Sequence, residues 1–466
     1  MSEPVFKLLP RPKPMALAGK RVLVLGLGDT GLAVARWVVR AGGSVRVADT
    51  RAAPPRAADL QSGELVTGPF DARLLAGIDL VCISPGLALA GPVVEHALSR
   101  GIPLVGEIEL FAWQVRSGPA AKIAAVTGTN GKTTVTALTG HLLRSAGVDC
   151  EVAGNIGPAA LEALRRRLDA GRLPAAWVLE LSSYQLETTW SLAPDCAALL
   201  NLSEDHLDRY AGLAEYGAAK ARIFHGAGTQ VLNRDDPRAA ALAPAGGRRI
   251  SFGLDAPPRP EDFGIVTADR PKQLAQGPHA LIAVDELPIH GWHNAANALA
   301  AAALASTLGA AREAIVEGLR SFRGLPHRLE RVAIAGGVAW YDDSKGTNVG
   351  ATIAALRGLE QKVVLIAGGE GKGQDFAPLA QPVAERASRV LLIGRDAPLI
   401  ARALASSGVP LETCATLEDA VTVAARSARP GEAVLLSPAC ASFDMFRDYR
   451  HRGDVFAAAV RGLAGG

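Results

Sequence analysis

The segment "AVTGTNGKTT" carries the residue types that bind nucleotide phosphates, and it follows an apolar run and opens a predicted helix. Gly128 and Gly131 let the backbone turn tightly, so its N–H groups can face phosphate oxygens at a helix N-terminus. Lys132 can reach the terminal phosphates, and the Thr133 hydroxyl can bind magnesium. Val126 replaces the first glycine of the strict phosphate-loop motif. The alternative interpretation is therefore a plain strand-to-helix turn with an incidental lysine.

A second glycine-rich turn, "GLGDTG", follows the apolar run "RVLVL". Gly26, Gly28 and Gly31 have the G-x-G-x-x-G spacing that places a pyrophosphate at a helix N-terminus. Asp49 ends the next apolar run, where dinucleotide-binding folds keep an acid that binds ribose. Alone, the motif indicates a diphosphate ligand without separating NAD from other diphosphates, and a structural turn is the alternative.

Acidic and basic residues cluster after two further apolar runs. Glu180 ends one run and is followed by Ser182, and an acid beside a phosphate loop can bind a metal. The stretch "LSEDHLDRY" then offers Asp205, His206 and Asp208, and a lysine, Lys220, follows on a predicted helix. By residue type alone, the histidine could equally be a hydrogen-bonded loop residue and the lysine a solvated surface residue.

Polar residues also follow the last predicted strands. In an open α/β sheet, ligands lie outside the carboxyl ends of the strands, so the whole set indicates a binding site although any one member could be a turn. The set comprises Arg328, Asp342, Asp343, Ser344, Lys345, Thr347, Asn348, Lys372, Ser442, Phe443 and Tyr449. Asn294 and Asn297 instead lie three residues apart on one face of a predicted Ala-rich helix, where Asn294 could cap the helix and Asn297 could hold an adenine or ribose edge.

Short Val/Leu/Ile runs alternate with Ala-rich helical stretches along almost the whole chain, which predicts an α/β fold with buried parallel sheets. The 466 residues suggest three domains. We predict an N-terminal Rossmann-like domain (1–110), a central phosphate-loop domain of the ATPase type with a mostly parallel sheet (111–325), and a C-terminal Rossmann-like domain (326–466). The Pro-rich, charged stretch 255–277 is predicted to form surface loops or edge strands.

Composition argues against several function classes. Lys and Arg total 49 against 46 Asp and Glu, and this near-neutral balance gives no compositional argument for binding to nucleic acid or membrane surfaces, which require a concentrated basic face. No apolar run approaches the roughly 20 residues that span a bilayer, and the first 20 residues lack the apolar core of a signal peptide. The five cysteines are scattered without metal-type spacing, which predicts a reduced cytoplasmic protein.

Taken together, the motifs resemble those of the Mur ligases, the ATP-dependent amino-acid-adding enzymes of peptidoglycan synthesis. The similar stretches are "GTNGKTT", "GNIG", "ELSSYQLE", "NLSEDHLDRY", "HNAANALAA", "GLPHRLE", "DDSKGTN" and "SPACASFDMFRDYRHRG". The phosphate loop of that family lacks the first glycine, as here. "GLGDTG", "DTR", "SPG" and the last stretch are most similar to the family member that adds D-glutamate to UDP-N-acetylmuramoyl-L-alanine.

The resemblance implies an acyl-phosphate mechanism with ATP and two magnesium ions, and it gives each matching residue an expected role. Catalysis is expected from Lys132, Glu180, His206 and Lys220, and metal binding from Thr133, Glu180, His206 and a carbamylated Lys220. The expected ATP-binding residues are Gly128, Thr129, Asn130, Gly131, Lys132, Thr133, Thr134, Asn297, Arg328, Asp343 and Lys345. The UDP substrate is expected at Gly28, Asp29, Thr30, Thr50, Arg51, Ser84, Gly86, Asn155 and Ser182. D-Glutamate is expected at Thr347, Lys372, Ser442, Phe443 and Tyr449.

Three other functions compete with this interpretation. A folylpolyglutamate synthase would share the ATP domain but leaves "GLGDTG" and "SPACASFDMF" unexplained. An NAD-dependent oxidoreductase leaves "GTNGKTT" without a role, and a non-catalytic nucleotide switch does not need an acid, a histidine and a glutamate site together. The expected partners are small-molecule substrates, with neither nucleic acid nor membrane, and the expected state is a monomer.

Overall fold

The computed structural model describes residues 5–118, 121–206, 209–267 and 271–464. The described chain forms three separate β-sheets with helices packed around them, which confirms the predicted α/β class with mostly parallel sheets. Asp208, one of the acids noted in the sequence, lies outside the described residues. No helix in the described ranges is long and apolar enough to cross a membrane.

The N-terminal sheet is entirely parallel, with the strand order β3-β2-β1-β4-β5. Its strands are β1 (Arg21–Leu25), β2 (Ser44–Asp49), β3 (Glu64–Thr67), β4 (Leu80–Ile83) and β5 (Leu104–Val105), and its helices are α1 (Val5–Leu8), α2 (Asp29–Arg40) and α3 (Pro92–Ser99). The strand order reverses between β1 and β4, which is where ligands bind in such sheets. The loops after these two strands therefore meet at the predicted diphosphate site.

Helix α4 (Glu107–Ser117) connects the first sheet to the second and is held by buried carboxylates. Glu107 Oε1 accepts from the Leu161 amide at 2.6 Å. Glu109 Oε2 accepts from the amides of Trp190 and Ser191 at 2.6 and 2.9 Å. The helix is thus bonded to the central domain, although it directly follows the N-terminal sheet.

The central sheet has the order β14-β13-β12-β11-β10-β9-β6-β8-β7, parallel from β7 to β12 and antiparallel beyond. Its strands are β6 (Lys122–Thr127), β7 (Cys150–Gly154), β8 (Ala176–Glu180), β9 (Cys196–Leu199), β10 (Thr229–Asn233), β11 (Arg248–Phe252), β12 (Phe263–Val266), β13 (Gln273–Gln276) and β14 (His279–Ala283). Its helices are α5 (Lys132–Ser145), α6 (Ala160–Asp169), α7 (Ser183–Glu187), α8 (Leu213–Ala221), α9 (Pro237–Ala241), α10 (Trp292–Thr307) and α11 (Arg312–Ser321). Strand β6 lies between β8 and β9, so the segments that follow these three strands share one edge of the sheet.

The C-terminal sheet has the order β15-β16-β20-β17-β18-β19 and is parallel except for the β15–β16 pair. Its strands are β15 (Glu330–Ala335), β16 (Val338–Asp342), β17 (Val363–Gly368), β18 (Ala387–Ile393), β19 (Leu411–Thr413) and β20 (Ala433–Leu436). Its helices are α12 (Val349–Gly358), α13 (Ala380–Arg386), α14 (Ala397–Leu404), α15 (Leu417–Ser427) and α16 (Tyr449–Ala464). The polar segments after β16, β17 and β20 follow neighbouring strands.

Alanine does much of the packing in the central core. The α10 side chains from Ala298 to Ala305 are all buried, and most of them are alanine. Small side chains allow a close helix-to-helix approach, and α10 packs directly on α5. This approach brings the polar start of α10 to the turn that begins α5.

Candidate active site

The phosphate loop is a tight turn between β6 and α5. Lys132 Nζ folds back and donates to the carbonyl oxygens of Gly128 and Thr129 at 2.9 and 2.8 Å. Gly131 has φ +81°, and a Cβ there would lie 2.5 Å from Asn297 Oδ1. This position therefore requires glycine, which has no side chain to cap α5. The first N–H groups of the helix are left to face an anion.

Glu180 ends β8 directly beside the phosphate loop, in register with Val126 of β6. Its carboxylate is buried, and Oε1 accepts from Asn155 Nδ2 at 2.6 Å. Oε2 is also buried and has no hydrogen-bond donor among the described residues. Buried polar atoms normally have partners, so an oxygen of this kind fits the ligand shell of a divalent cation.

Lys220 on α8 is a buried lysine beside the phosphate loop. Its Nζ donates to Gly128 O at 2.8 Å and lies 4.5 Å from the ring centroid of Tyr216. Burial lowers the pKa of Lys220 well below its usual value, and the positive charge of Lys132 lowers it further. Burial also lowers the pKa of Lys132. The alternative interpretation of Lys220 as a solvated surface lysine is therefore wrong.

His206 lies on the loop after β9 with φ +55°. Asp205 Oδ1 accepts from the His206 amide at 2.9 Å, and Asp205 Oδ2 lies 3.8 Å from His206 Nε2. The imidazole ring is 4.9 Å from the ring of Tyr184. The charges of Asp205 and Glu180 both act on Lys132 and Lys220, so this loop belongs to the same charged cluster.

Two side chains of the C-terminal domain reach the phosphate loop. Arg328 Nη2 donates to Thr133 Oγ1 at 2.5 Å. Asn348 Nδ2 donates to Asn130 Oδ1 at 3.1 Å. The third domain is thus in contact with the nucleotide loop. The sequence marked Asn348 as polar but assigned it no role.

Asp343 and Lys345 lie on the loop after β16. Asp343 Oδ2 accepts from Ser437 Oγ at 2.7 Å, and burial raises the pKa of this carboxyl to about 7. Lys345 Nζ lies 3.9 Å from the ring centroid of Tyr449, and burial lowers its pKa to about 8. The charges of Arg328 and Glu180 act on Lys345, which joins this loop to the central cluster.

The predicted D-glutamate residues are only partly brought together. Lys372 Nζ lies 5.8 Å from the ring centroid of Phe443, whose side chain is 64% exposed. The neighbouring Ser442 is buried. Within the described residues, no hydrogen bond joins Thr347 to Lys372 or to Ser442. Lys372 and Phe443 are exposed while Ser442 is buried, so the set is less compact than the phosphate loop.

In the N-terminal domain, a cleft of about 310 Å³ opens at the strand-order switch. Its lining includes Gly28, Asp29, Thr30, Thr50, Arg51, Ser84 and Gly86. Asn155 and Ser182 lie elsewhere. The first is bonded to Glu180, and the second caps α7 by accepting from the Gln185 amide at 3.2 Å.

Asp49 is engaged by the protein itself. Its Oδ2 accepts from the Leu27 amide at 2.7 Å and from Arg51 Nη2 at 2.7 Å, and its Oδ1 accepts from Arg51 Nε at 2.8 Å. The guanidinium holds the pKa of Asp49 well below its usual range. An acid occupied in this way organises the glycine-rich loop and is not available to a ribose, which disfavours the NAD interpretation.

Three family models match successive parts of the chain. They are the "Mur ligase MurD-like, N-terminal domain" at residues 20–106, the "Mur ligase middle domain" at 126–305, and the "Mur ligase, glutamate ligase domain" at 327–440. The chain belongs to the Mur ligase family. The resemblance seen in the sequence motifs is confirmed.

This Mur ligase has close relatives over its whole length. It is 56% identical to the UDP-N-acetylmuramoylalanine–D-glutamate ligase of Nitrosospira multiformis, with 96% of this chain and 97% of that protein covered. It is 54% identical to the ligase of the same name in Aromatoleum aromaticum, with 96% and 98% covered. A crystal structure of the UDP-N-acetylmuramate-alanine ligase of Thermotoga maritima covers 95% of this chain and 99% of that one, with TM-score 0.60 and 20% identity. This last likeness shows a shared fold.

Proposed function

We propose that this Mur ligase joins D-glutamate to UDP-N-acetylmuramoyl-L-alanine and converts ATP to ADP and phosphate. The observation that carries the proposal is the full-length identity, up to 56%, to ligases named for that reaction. The phosphate loop, the unpaired Glu180 oxygen and the buried cations around them are the groups that such a reaction requires.

The chemistry explains why ATP is needed. A carboxylate is a poor acyl donor because an oxide would have to leave. Attack of the L-alanyl carboxylate on the γ-phosphate gives an acyl phosphate and ADP. The D-glutamate amine then attacks the acyl carbon, loses a proton, and phosphate departs as the amide forms.

The first step brings two anions together, so cationic groups must neutralise them. Lys132 and Arg328 supply fixed positive charge at the phosphate loop. Two magnesium ions, when bound, would supply the rest of the charge neutralisation. Thr133, Glu180 and His206 offer the hydroxyl, carboxylate and imidazole groups that would hold them.

Lys220 requires a chemical change to join this metal site, because an ammonium would repel a cation. A neutral amine adds CO₂ by forming an N–C bond and losing a proton, which gives an anionic carbamate. The lowered pKa of Lys220 supports this step, because it favours the neutral amine. The carbamate oxygens would then bind metal as a carboxylate does.

The remaining ligand residues are proposed from their family positions and their places in the fold. ATP would contact Gly128, Thr129, Asn130, Gly131 and Thr134 on the loop, and Asn297, Asp343 and Lys345 around it. The UDP group would occupy the cleft in the N-terminal domain, and the muramoyl end would extend to Asn155 and Ser182. D-Glutamate would bind between Thr347, Lys372, Ser442, Phe443 and Tyr449, where a lysine and hydroxyl groups can pair with two carboxylates.

We place the enzyme in the cytoplasm as a monomer that works on small molecules without nucleic acid or membrane partners. The supporting observation for the compartment is that its cysteines are all free and buried, as in a reducing environment: Cys82, Cys150, Cys196, Cys414 and Cys440. Domains at 1–110, 111–325 and 326–466 remain part of this proposal.

The test is phosphate release by the purified protein with ATP, Mg²⁺ and UDP-N-acetylmuramoyl-L-alanine, with D-glutamate or a panel of other amino acids. We expect release that requires both substrates and is selective for D-glutamate. Selective release with another amino acid would move the enzyme to another step of the same pathway. Binding of ATP without release for any acceptor would favour a nucleotide switch.

A further inference from the structure

Arg209 makes contacts that the proposed reaction does not use. It follows the "SEDH" run of the loop after β9, and only 14% of its side chain is exposed. The two terminal nitrogens of its guanidinium donate hydrogen bonds to different domains. Nη1 donates to the carbonyl oxygen of Leu87 at 2.7 Å, and Nη2 donates to Glu187 Oε2 at 2.5 Å.

Glu187, which accepts from Nη2, belongs to the central domain and is itself held in place. The Glu187 side chain is only 3% exposed, and its second oxygen accepts from Tyr210 OH at 2.6 Å. The Glu187 carboxylate, itself held by Tyr210, and the Leu87 carbonyl oxygen each accept from a different guanidinium nitrogen, and together they fix the orientation of the group. The cation therefore has a fixed position at the surface where the central domain meets the N-terminal domain.

Leu87, which accepts from Nη1, belongs to the loop that forms one wall of the N-terminal cleft. The Leu87 amide donates to Ser84 O at 3.0 Å, and Ser84 Oγ donates to Gly26 O at 3.2 Å. A Cβ at Gly26 would lie 2.9 Å from Ser84 Oγ, so this loop packs tightly beneath the glycine-rich turn. Two hydrogen bonds thus connect Leu87, which Arg209 binds, to the predicted diphosphate site.

The same arginine also borders the histidine loop. The amides of Arg209 and Tyr210 donate to His206 O at 3.0 and 3.1 Å. The guanidinium carbon lies 4.4 Å from the ring centroid of Tyr184, which in turn lies 4.9 Å from the imidazole of His206. Arg209 is therefore in contact with both the wall of the cleft and the turn that carries His206.

We infer that Arg209 is a positioning residue that holds the UDP-binding loop Ser84–Leu87 at a fixed distance and orientation from His206. The identity of the ligand in this inference rests on the proposed function. The sugar-diphosphate end of the substrate binds in one domain and its reacting carboxylate must lie in another. The Arg209 guanidinium hydrogen-bonds to Leu87 in the N-terminal domain and to Glu187 in the central domain, so it sets the separation between the two domains at this point.

Lysine cannot replace arginine in this arrangement, because one ammonium cannot reach two separated acceptors with fixed geometry. The test is Arg209→Lys in the full-length protein, with UDP-N-acetylmuramoyl-L-alanine binding measured by calorimetry without ATP and Mn²⁺ binding measured by electron paramagnetic resonance. We expect at least a tenfold weaker binding of the UDP substrate and at least a threefold weaker binding of Mn²⁺. In turnover, KM for the UDP substrate should rise by the same factor, while KM for D-glutamate changes less than twofold.

The matched control is Arg40→Ala, because Arg40 pairs with Asp169 across the same two domains but on helices α2 and α6, away from both sites. We expect this control to change each constant less than twofold. Glu187→Gln keeps the shape of the anchor without its charge and should act in the same direction as Arg209→Lys. If Arg209→Lys does not fold, Glu187→Gln tests the positioning role of Arg209 on its own.

Unchanged UDP-substrate binding in both Arg209→Lys and Glu187→Gln would overturn the inference. So would an equal loss in Arg40→Ala, which would indicate general docking of the domains. If the wild-type protein binds the UDP substrate but never releases phosphate, the proposed reaction is refuted. The comparison of UDP-substrate binding among the variants would still test the positioning role of Arg209.

Discussion

The carbonyl oxygen of Gly128 accepts hydrogen bonds from two lysines, Lys132 and Lys220. Two ammonium groups at one oxygen repel each other, and the more deeply buried Lys220 has its pKa lowered furthest. The structure thus shows a physical reason why one of the pair can lose its charge. The sequence could not reveal this, because the burial of Lys220 results from tertiary packing.

Lys220→Ala should therefore be inactive, with phosphate release reduced by about 10³-fold or more, because the carbamate ligand proposed for the metal site is lost. A short added carboxylate should restore part of the rate by occupying the space. Phosphate release with and without millimolar acetate measures this. Lys220→Arg is the control, since it fills the space and should not be rescued. Full activity of Lys220→Ala without any carboxylate would show that no carbamate is needed.

The pKa of Asp343 predicts a pH-dependent stability. Burial raises this pKa from 3.8 to about 7, so the native state keeps a proton that the unfolded chain releases. Stability must then fall as pH rises through that window. Asp343→Asn cannot ionise and should lose less stability between pH 5 and pH 8 than the wild type in urea unfolding. Glu95→Gln, at an exposed site on α3, should keep the wild-type slope. Parallel slopes for all three proteins would contradict the raised pKa.

At the scale of elements, β6, β8 and β9 are adjacent, and each is followed by a site segment. The sequence predicted the apolar strands and the polar residues that follow them, but the position of β6 between β8 and β9 comes from the structure. The stretch 255–277 contains β12 and β13, but both lie inside the sheet with β14 at its edge, so the expectation of edge strands there is wrong. The role of Asp49 could not be predicted, since an acid at that strand end serves equally to bind ribose or, as here, to bind Arg51.

Gly131→Ala tests the junction of α5 and α10. The substitution places a side chain at φ +81° and 2.5 Å from Asn297 Oδ1, so it should displace that side chain and raise KM for ATP at least tenfold. Gly147→Ala is the matched control, because Gly147 has φ +74° with no atom within 4 Å of the added Cβ. Both variants should lose about 1–2 kcal/mol of stability through backbone strain. An equal KM for ATP in the two variants would refute the close approach.

At the scale of the whole molecule, the C-terminal domain touches the phosphate loop through Arg328 and Asn348. The resemblance to the Mur ligases implied that residues of both the central and the C-terminal predicted domains bind ATP. The particular Asn348–Asn130 hydrogen bond could not be predicted, because it depends on how the central and C-terminal sheets lie relative to each other. The domain boundaries at 110 and 325 also stay predictions.

Asn348→Asp separates the docking contact from the helix cap. In the wild type, Asn348 Oδ1 accepts from the Ala351 amide at 2.8 Å, and Nδ2 donates to Asn130. Aspartate can still accept from the Ala351 amide, but it has no side-chain N–H to donate to Asn130. We expect a thermal midpoint near that of the wild type, a larger radius of gyration by X-ray scattering, and a several-fold higher KM for ATP. Asn348→Ala, which loses both contacts, should also lose about 1 kcal/mol of stability. An unchanged radius and KM in Asn348→Asp would show that this contact does not hold the domains together.

In the proposed reaction, ATP activates the L-alanyl carboxylate as an acyl phosphate. The most direct measurement uses UDP-N-acetylmuramoyl-L-alanine labelled with ¹⁸O in that carboxylate and follows the released phosphate by mass spectrometry. Each released phosphate should carry one ¹⁸O, transferred from the substrate when the amine displaces phosphate. Unlabelled phosphate, with the peptide product formed at the normal rate, would contradict it.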